Sequence, residues 1–423
     1  MLDIKFIREF SDILKKAALK KKIKVNIDKL IKLDDDRLAM LARVEDMRSK
    51  QNTVSEEIVR ITDPAMRQEK ISAMQDLKIL LKKEESRLKE TTDAWQEIMW
   101  QIPNIPDMSV PEGAGEEDNV PVHQWGEVPQ FDFPIKDHRD LMLDLGMVDF
   151  ERGTKVHGFR GYFLRGAGAE LSWALWNYAR DFFSSKNFVP VIAPAIVRKQ
   201  NFYGTGHLPA EAEDLYVTQD DDYLSGTAEV SMMGYHSGEV LSMQDLPGRY
   251  LSFSPCYRRE AGSHGKDTKG LIRVHEFFKL EQLILCEANH QQSDTFFEEI
   301  NRNHEEFIES LGIPYHRLLI CAGDLSASKV KQYDTEVWMP SEHAYRETSS
   351  ASYFHDYQTR RFNIRYKDDV GKLHFAHSLN CTAAATPRLL AAVVENSQQE
   401  DGSLKIPLVL QSYMKTDIIS KGE

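Results

Sequence analysis

Two arginines, two carboxylates and one aromatic ring recur at strand spacing within Tyr257 to Glu281, YRREAGSHGKDTKGLIRVHEFFKLE. In an extended segment residues of one parity share a face. Arg258 and Glu260 therefore point the same way, and Arg273, His275, Phe277, Lys279 and Glu281 share a face on the returning segment. If the two segments pair antiparallel through the loop from Ala261 to Leu271, these groups converge. Guanidinium forks grip phosphate bidentately, a ring stacks on a base, and a carboxylate accepts from an amine, so the surface suits a charged planar ligand. Taken alone, the same pattern also fits a solvated hairpin face. GSHGKDT is not a P-loop: Asp267 follows Gly265-Lys266, and the position five before Gly265 is Glu260 rather than glycine.

The segment sits in a chain of 423 residues, long enough for two or three domains. The apolar run Leu389 to Val394 is too short to span a bilayer. MLDIKFIREF carries charges where a secretion signal needs an apolar stretch, so a cytoplasmic location is expected. Four cysteines without Cys-x-x-Cys spacing indicate neither a zinc site nor a disulfide framework. The net charge of −13 is uneven: residues 1–100 carry +3 and the remainder −16, which leaves the N-terminal quarter the less repulsive end for a polyanion.

Positions 30, 33, 37, 40, 44, 47, 51, 54, 58 and 61 alternate steps of three and four, and eight of these ten are apolar, a heptad seam broken at Arg37 and Gln51. A second seam runs through Met74, Leu77, Leu81, Leu88, Trp95, Ile98 and Ile102, with Glu84 and Thr91 as its polar breaks. Thr62-Asp63-Pro64 lies between them, and proline there ends one helix and opens the next. An antiparallel helical hairpin over about 28–102, an arm of roughly 45 Å for some thirty residues, is expected within an N-terminal domain of 1–102. Residues 103–134 hold six of the sixteen prolines and read as a linker or strand-edge passage. Beyond it, in 135–423, short apolar segments (188–192, 249–253, 282–285, 318–320, 362–366, 373–379) alternate irregularly with helices near 168–186 and 290–311. That pattern favours an α+β domain with an antiparallel sheet flanked by helices.

The Arg-x-Glu pair, the loop and Arg-x-x-x-Phe together resemble motif 2 of class II aminoacyl-tRNA synthetases in its seryl form. ELSWALWNYARDFFSSKNFVPVIAPAIV, with Pro194, resembles motif 1, which in that family forms the dimer interface. GTGHLPAEAEDLY resembles the seryl segment that follows, and Thr227-Ala228-Glu229 the serine-binding loop, after Ser225-Gly226 where the family is usually more apolar. RETSSASYF resembles the Glu-Ile-Ser-Ser strand, and HSLNCTAAATPRLLAAVVEN resembles motif 3, with Cys381-Thr382 and Pro387 where the family commonly has Gly-Ser and Gly.

The resemblance implies the class II fold and ligation of serine to tRNA(Ser), with tRNA(Sec) as a further acceptor to consider. It places Arg258 on the α-phosphate, Glu260 at the adenine edge, Phe277 against adenine and Arg388 on the γ-phosphate, with Arg259, Val274, Glu347, Thr348, Ser349 and Ser350 completing the ATP site. Thr227, Ala228, Glu229, Arg258, Glu281, Asn380 and Thr382 would bind serine, and Glu347 with Ser350 would hold Mg²⁺. A homodimer is expected, with the arm reaching tRNA. Two other readings compete with this one. A paralogue activating serine or another small amino acid for a different acceptor would often lack the arm, and the intact heptads argue against it. A non-catalytic coiled-coil protein has no evident need for Arg258, Glu260, Glu281, Glu347 and Arg388 together.

Overall fold

A computed structural model describes residues 1–262, 265 and 267–422. Ser263, His264 and Lys266, in the loop read above against the P-loop pattern, lie outside the described residues. The chain divides into two compact units, residues 2–103 and residues 104–423 with Met1.

In the first unit two short helices, Ile4–Glu9 and Ser11–Lys20, precede α1 (Ile27–Arg60) and α2 (Pro64–Gln101). The Asn26 side chain caps α1 by accepting from the Lys29 amide, and Asp63 caps α2 by accepting from the Ala65 and Met66 amides, with Pro64 at the first helical position. At 34 and 38 residues the helices are longer than expected from the seams and run about 51 and 57 Å at 1.5 Å per residue. Every seam position named above is buried or half-buried. The polar break at Arg37 is accommodated because its guanidinium lies 4.7 Å above the Trp95 ring and pairs with the buried Asp34 at 2.8 Å. Exposed cross-helix pairs, Arg48–Glu85 and Lys70–Glu57, each at 2.7 Å, contribute little by comparison.

The second unit is built on eight strands: β1 (Val120–Trp125), β2 (Val189–Ile192), β3 (Gly248–Tyr257), β4 (Glu276–Cys286), β5 (Tyr315–Leu319), β6 (Lys331–Met339), β7 (Ala344–Tyr353) and β8 (His377–Thr386). Their order is β1-β5-β6-β7-β8-β4-β3-β2, antiparallel throughout except where β2 runs parallel to β3. Four helices bear on the site and its core: α3 (Ala167–Ser184), α4 (Ala228–Tyr235), α5 (His290–Ser310) and α6 (Arg388–Asn396). Alternation divides the sheet. Leu379, Cys381 and Ala383 of β8 and Ala351 and Tyr353 of β7 join a core with Leu171, Phe183, Phe297 and Phe307 from α3 and α5. Their neighbours Asn380, Thr382, Ser350 and Ser352 face a cleft.

Of the two readings of the proline-rich stretch, the strand-edge one matches: β1 forms the sheet edge against β5, and Asn104 Nδ2 donates to the carbonyls of Ser328 (3.1 Å) and Phe354 (2.8 Å). Two expectations change. The apolar segment 362–366 is not one strand. Tyr357–Phe362 is helical, Asn363 ends the helix at φ +55°, where asparagine is readily accommodated, and only Arg365–Lys367 is extended, in a small separate sheet. Likewise 373–379 divides into Leu373–Phe375 of that small sheet and the start of β8. Among the described residues no helix is long and apolar enough to cross a membrane.

Candidate active site

The cleft has a volume of about 430 Å³ and is walled by β4, β7, β8, the start of α6, and the loop before α4 with its first turn. At one end stand the groups suited to a nucleotide. The β3–β4 ladder, with Glu276 opposite Tyr257, is extended by the Arg258 amide donating to the His275 carbonyl (2.9 Å). The Arg258 guanidinium is exposed, lies 5.3 Å over the Phe277 ring and reaches the Gly226 carbonyl only at 3.5 Å. Glu260, at φ +54°, accepts from Arg273 Nη1 (3.0 Å), and Arg273 Nε donates to Asp267 (3.0 Å), which also receives Arg346 (3.1 Å). Arg388 is fixed by its helix, because Leu389 to Val394 are all buried in the core. Its guanidinium reaches the Ile272 carbonyl (3.4 Å), the Glu347 carbonyl and the Glu347 carboxylate (3.6 Å).

The other end is nearly closed to solvent and polar. Thr227 is the N-cap of α4 and accepts from the Glu229 amide (3.2 Å). Its hydroxyl donates to Glu281 Oε2 (2.5 Å) and accepts from Lys279 Nζ (2.8 Å), while Lys279 and Glu281 pair at 2.9 Å. Glu229 accepts from Gln358 Nε2 (2.5 Å). Thr382 lies across the ladder from Glu281. Asn380 is 4% exposed, and its Nδ2 has no hydrogen-bond partner among the described groups. A buried donor left unpaired is costly, so this end is shaped for a small polar ligand that would accept from it.

Residues 1–106 match the seryl-tRNA synthetase N-terminal domain, and residues 216–397 match the tRNA synthetase class II core domain (G, H, P, S and T). A serine–tRNA ligase of Deinococcus radiodurans is 41% identical over 415 residues, covering 98% of this chain and 97% of the relative. The chain belongs to the seryl-tRNA synthetase family. Two solved structures agree over the whole chain. The seryl-tRNA synthetase of Pyrococcus horikoshii complexed with ATP superposes with a TM-score of 0.88 at 36% identity, with 100% of both chains covered. The cytoplasmic serine–tRNA ligase of Naegleria fowleri in complex with AMP gives 0.84 at 32%, covering 100% of this chain and 99% of that one.

Of the site residues expected from sequence, Arg258, Glu260, Val274, Phe277, Glu347, Thr348, Ser350, Arg388, Thr227, Glu229, Glu281, Asn380 and Thr382 all line the cleft. Three do not. Ala228 faces the core beside Met232 and Leu283. Arg259 alternates away from Arg258 and donates to the Glu213 carbonyl (3.1 Å). Ser349 is buried behind the cleft and donates to the Thr382 carbonyl (2.7 Å). His275 also leaves the predicted face: β4 begins at Glu276, so its alternation does not extend to His275, whose ring instead packs near His157 and Phe159. Lining residues left unassigned include Lys279, Arg273, His207, Glu211 and Lys329. Cys381 is no nucleophile, since burial pushes its thiol up to about 12.

Glu347 joins Thr348, Ser350 and Ser352 on the cleft face because the β6–β7 register shifts between Thr335 and Glu336, a bulge that re-aims the carboxylate. Asp334, opposite Ser350, is raised to about 7 by burial and then by the charge of Glu347. Asp334, Glu347 and the Ser350 hydroxyl, unpartnered among the described groups, form a hard oxygen set, which fits Mg²⁺. Among the described residues no three His, Cys, Asp or Glu are grouped to hold a metal unaided. Glu347 and Ser350 would thus share the ion with ligand phosphates.

The loop returning to β4 is anchored from behind. The Leu271 amide donates to His138 Nε2 (3.0 Å), and His138 Nδ1 faces Glu395 Oε1 of α6 at 2.7 Å. Gly270 has φ +75°, and an added Cβ would sit 2.3 Å from His138 Nε2, so only glycine fits there. Burial acts to raise the Glu395 carboxyl, but hydrogen bonds from His138 and the Ser341 amide outweigh it and hold the group below the ordinary range. A depressed acid contributes stability above its unfolded value of about 4.3, lost as pH falls through the folded value. Glu395→Gln should lower stability by about 1–3 kcal/mol at pH 7. Urea unfolding at pH 7 and pH 4 checks this, with the gap from the parent narrowing on acidification.

Proposed function

We propose that the protein activates serine with ATP and transfers it to the 3′ end of tRNA(Ser), with tRNA(Sec) as a second acceptor to test. The observation that carries this reading is the two-ended cleft: the exposed Arg258 guanidinium over the Phe277 ring, with the half-buried Arg388 also lining the cleft, and a buried carboxylate, hydroxyl and unsatisfied amide at the other end. The serine carboxylate attacks the α-phosphorus of ATP, forming seryl-adenylate and releasing pyrophosphate. The 3′-terminal adenosine hydroxyl of tRNA then attacks the acyl carbon, and AMP leaves.

Neither step demands a side-chain nucleophile, so positioning and charge stabilisation carry the rate. Arg258 takes the α-phosphate, Phe277 and Val274 pack on adenine, Glu260 accepts from its amine and Arg388 takes the γ-phosphate. Mg²⁺ on Glu347 and Ser350 would neutralise phosphate charge. Glu281, Thr382 and Asn380 bind serine, and a pocket built to hydrogen-bond a hydroxyl refuses alanine far better than an apolar one could. The N-terminal hairpin binds tRNA by shape, the chain acts as a homodimer through the segment around Pro194, and it works in the cytoplasm. The match of residues 1–106 to the seryl N-terminal domain favours tRNA over another acceptor.

Labelled serine supplied with ATP should become alkali-labile on a tRNA(Ser) transcript and not on the same transcript with its 3′-terminal ribose oxidised by periodate. Equal labelling of both would refute transfer to the 3′ hydroxyl.

A further inference from the structure

Lys279 has no role in the reading above, yet it is 7% exposed and its ammonium lies inside the amino-acid end of the cleft. A hydroxyl has one hydrogen and two lone pairs. Thr227 gives its hydrogen to Glu281 Oε2 and receives Lys279 Nζ and the Glu229 amide. The hydroxyl hydrogen and both lone pairs are thus engaged by neighbouring protein groups. Glu281 Oε2 is committed as well, to Thr227 and to Lys279. Oε1 is the remaining oxygen; Glu281 pairs with Thr382 in the β4–β8 register, and both line the cleft together with Asn380, whose Nδ2 is unsatisfied.

We infer that Lys279 is a positioning residue: by clamping Thr227 and Oε2 of Glu281 it turns Oε1 toward the ammonium group of the amino-acid substrate. The inference rests on the proposed serine activation. A surface lysine would have no such leverage, because a water-exposed pair is weak and mobile. Here both partners are buried, and removing one leaves the other uncompensated.

Serine-dependent ATP–pyrophosphate exchange with Lys279→Met tests it. The KM for serine should rise about 10- to 100-fold, with the KM for ATP unchanged. Lys279→Gln, which keeps a donor to Thr227 without the charge, should give a smaller rise and carries the test if the Met variant does not fold. Because Lys279 acts through Glu281, Lys279→Met in a Glu281→Gln background should add no further cost. An unchanged serine KM, an equal rise in both KM values, or additive effects in the double variant would each overturn the inference alone. A parent without serine-dependent exchange would overturn the functional reading and this inference with it.

Discussion

Removing residues 30 to 100 lowers charging of tRNA(Ser) by about 10²- to 10⁴-fold, as expected when one of two linked binding sites is lost. Serine-dependent ATP–pyrophosphate exchange should continue near the full-length rate. The separation follows from where the apolar contacts lie. The seams of α1 and α2 bury against each other, and every residue lining the cleft falls between Phe202 and Arg388. Residues 1–106 match the seryl-tRNA synthetase N-terminal domain. Loss of the hairpin should therefore remove tRNA binding and none of the cleft wall. Charging and exchange measured on one preparation of the truncated chain decide it. Loss of exchange together with charging would show that the hairpin supports the cleft rather than tRNA.

Arg258→Ala lowers exchange by about 10³-fold, near 4 kcal/mol of transition-state stabilisation, the upper range for one preorganised donor. The fold should not suffer, because the guanidinium is exposed and its contact to Gly226 is only 3.5 Å. Arg258→Lys should restore little, since an ammonium cannot reproduce the planar fork on phosphate. Arg259→Ala is the internal control: one residue along the chain, the side chain is directed to Glu213, so exchange should barely change. Comparable losses at both positions would contradict the strand alternation behind the assignment. A near-parental rate for Arg258→Ala would remove it from the α-phosphate.

The heptads made the hairpin legible, since a seam of period 3.5 needs only local spacing and even Arg37 kept its place through Trp95. The alternation of Phe277, Lys279 and Glu281 was legible for the same reason. Motif resemblance does not separate neighbouring side chains within one stretch. Ala228, Arg259 and Ser349 sit within motifs whose neighbours reach the cleft, but a helix or strand turns adjacent side chains apart. His275 failed because the strand starts one residue later. The segment 362–366 failed because apolar content alone does not separate a helix end from a strand. Asp334 and the Lys279–Thr227 contact had no local signal. They depend on the pairing of β6 with β7 and on the loop before α4, which only the folded chain brings together.

The central claim is that the buried end of the cleft selects serine. Exchange measured in parallel with serine, threonine, alanine and glycine tests it most directly. Serine should exceed alanine by about 10⁴-fold, because alanine leaves buried polar groups unpaired, while threonine, refused by shape alone, should trail by about 10²-fold. Faster exchange with any of the other three amino acids would contradict the account.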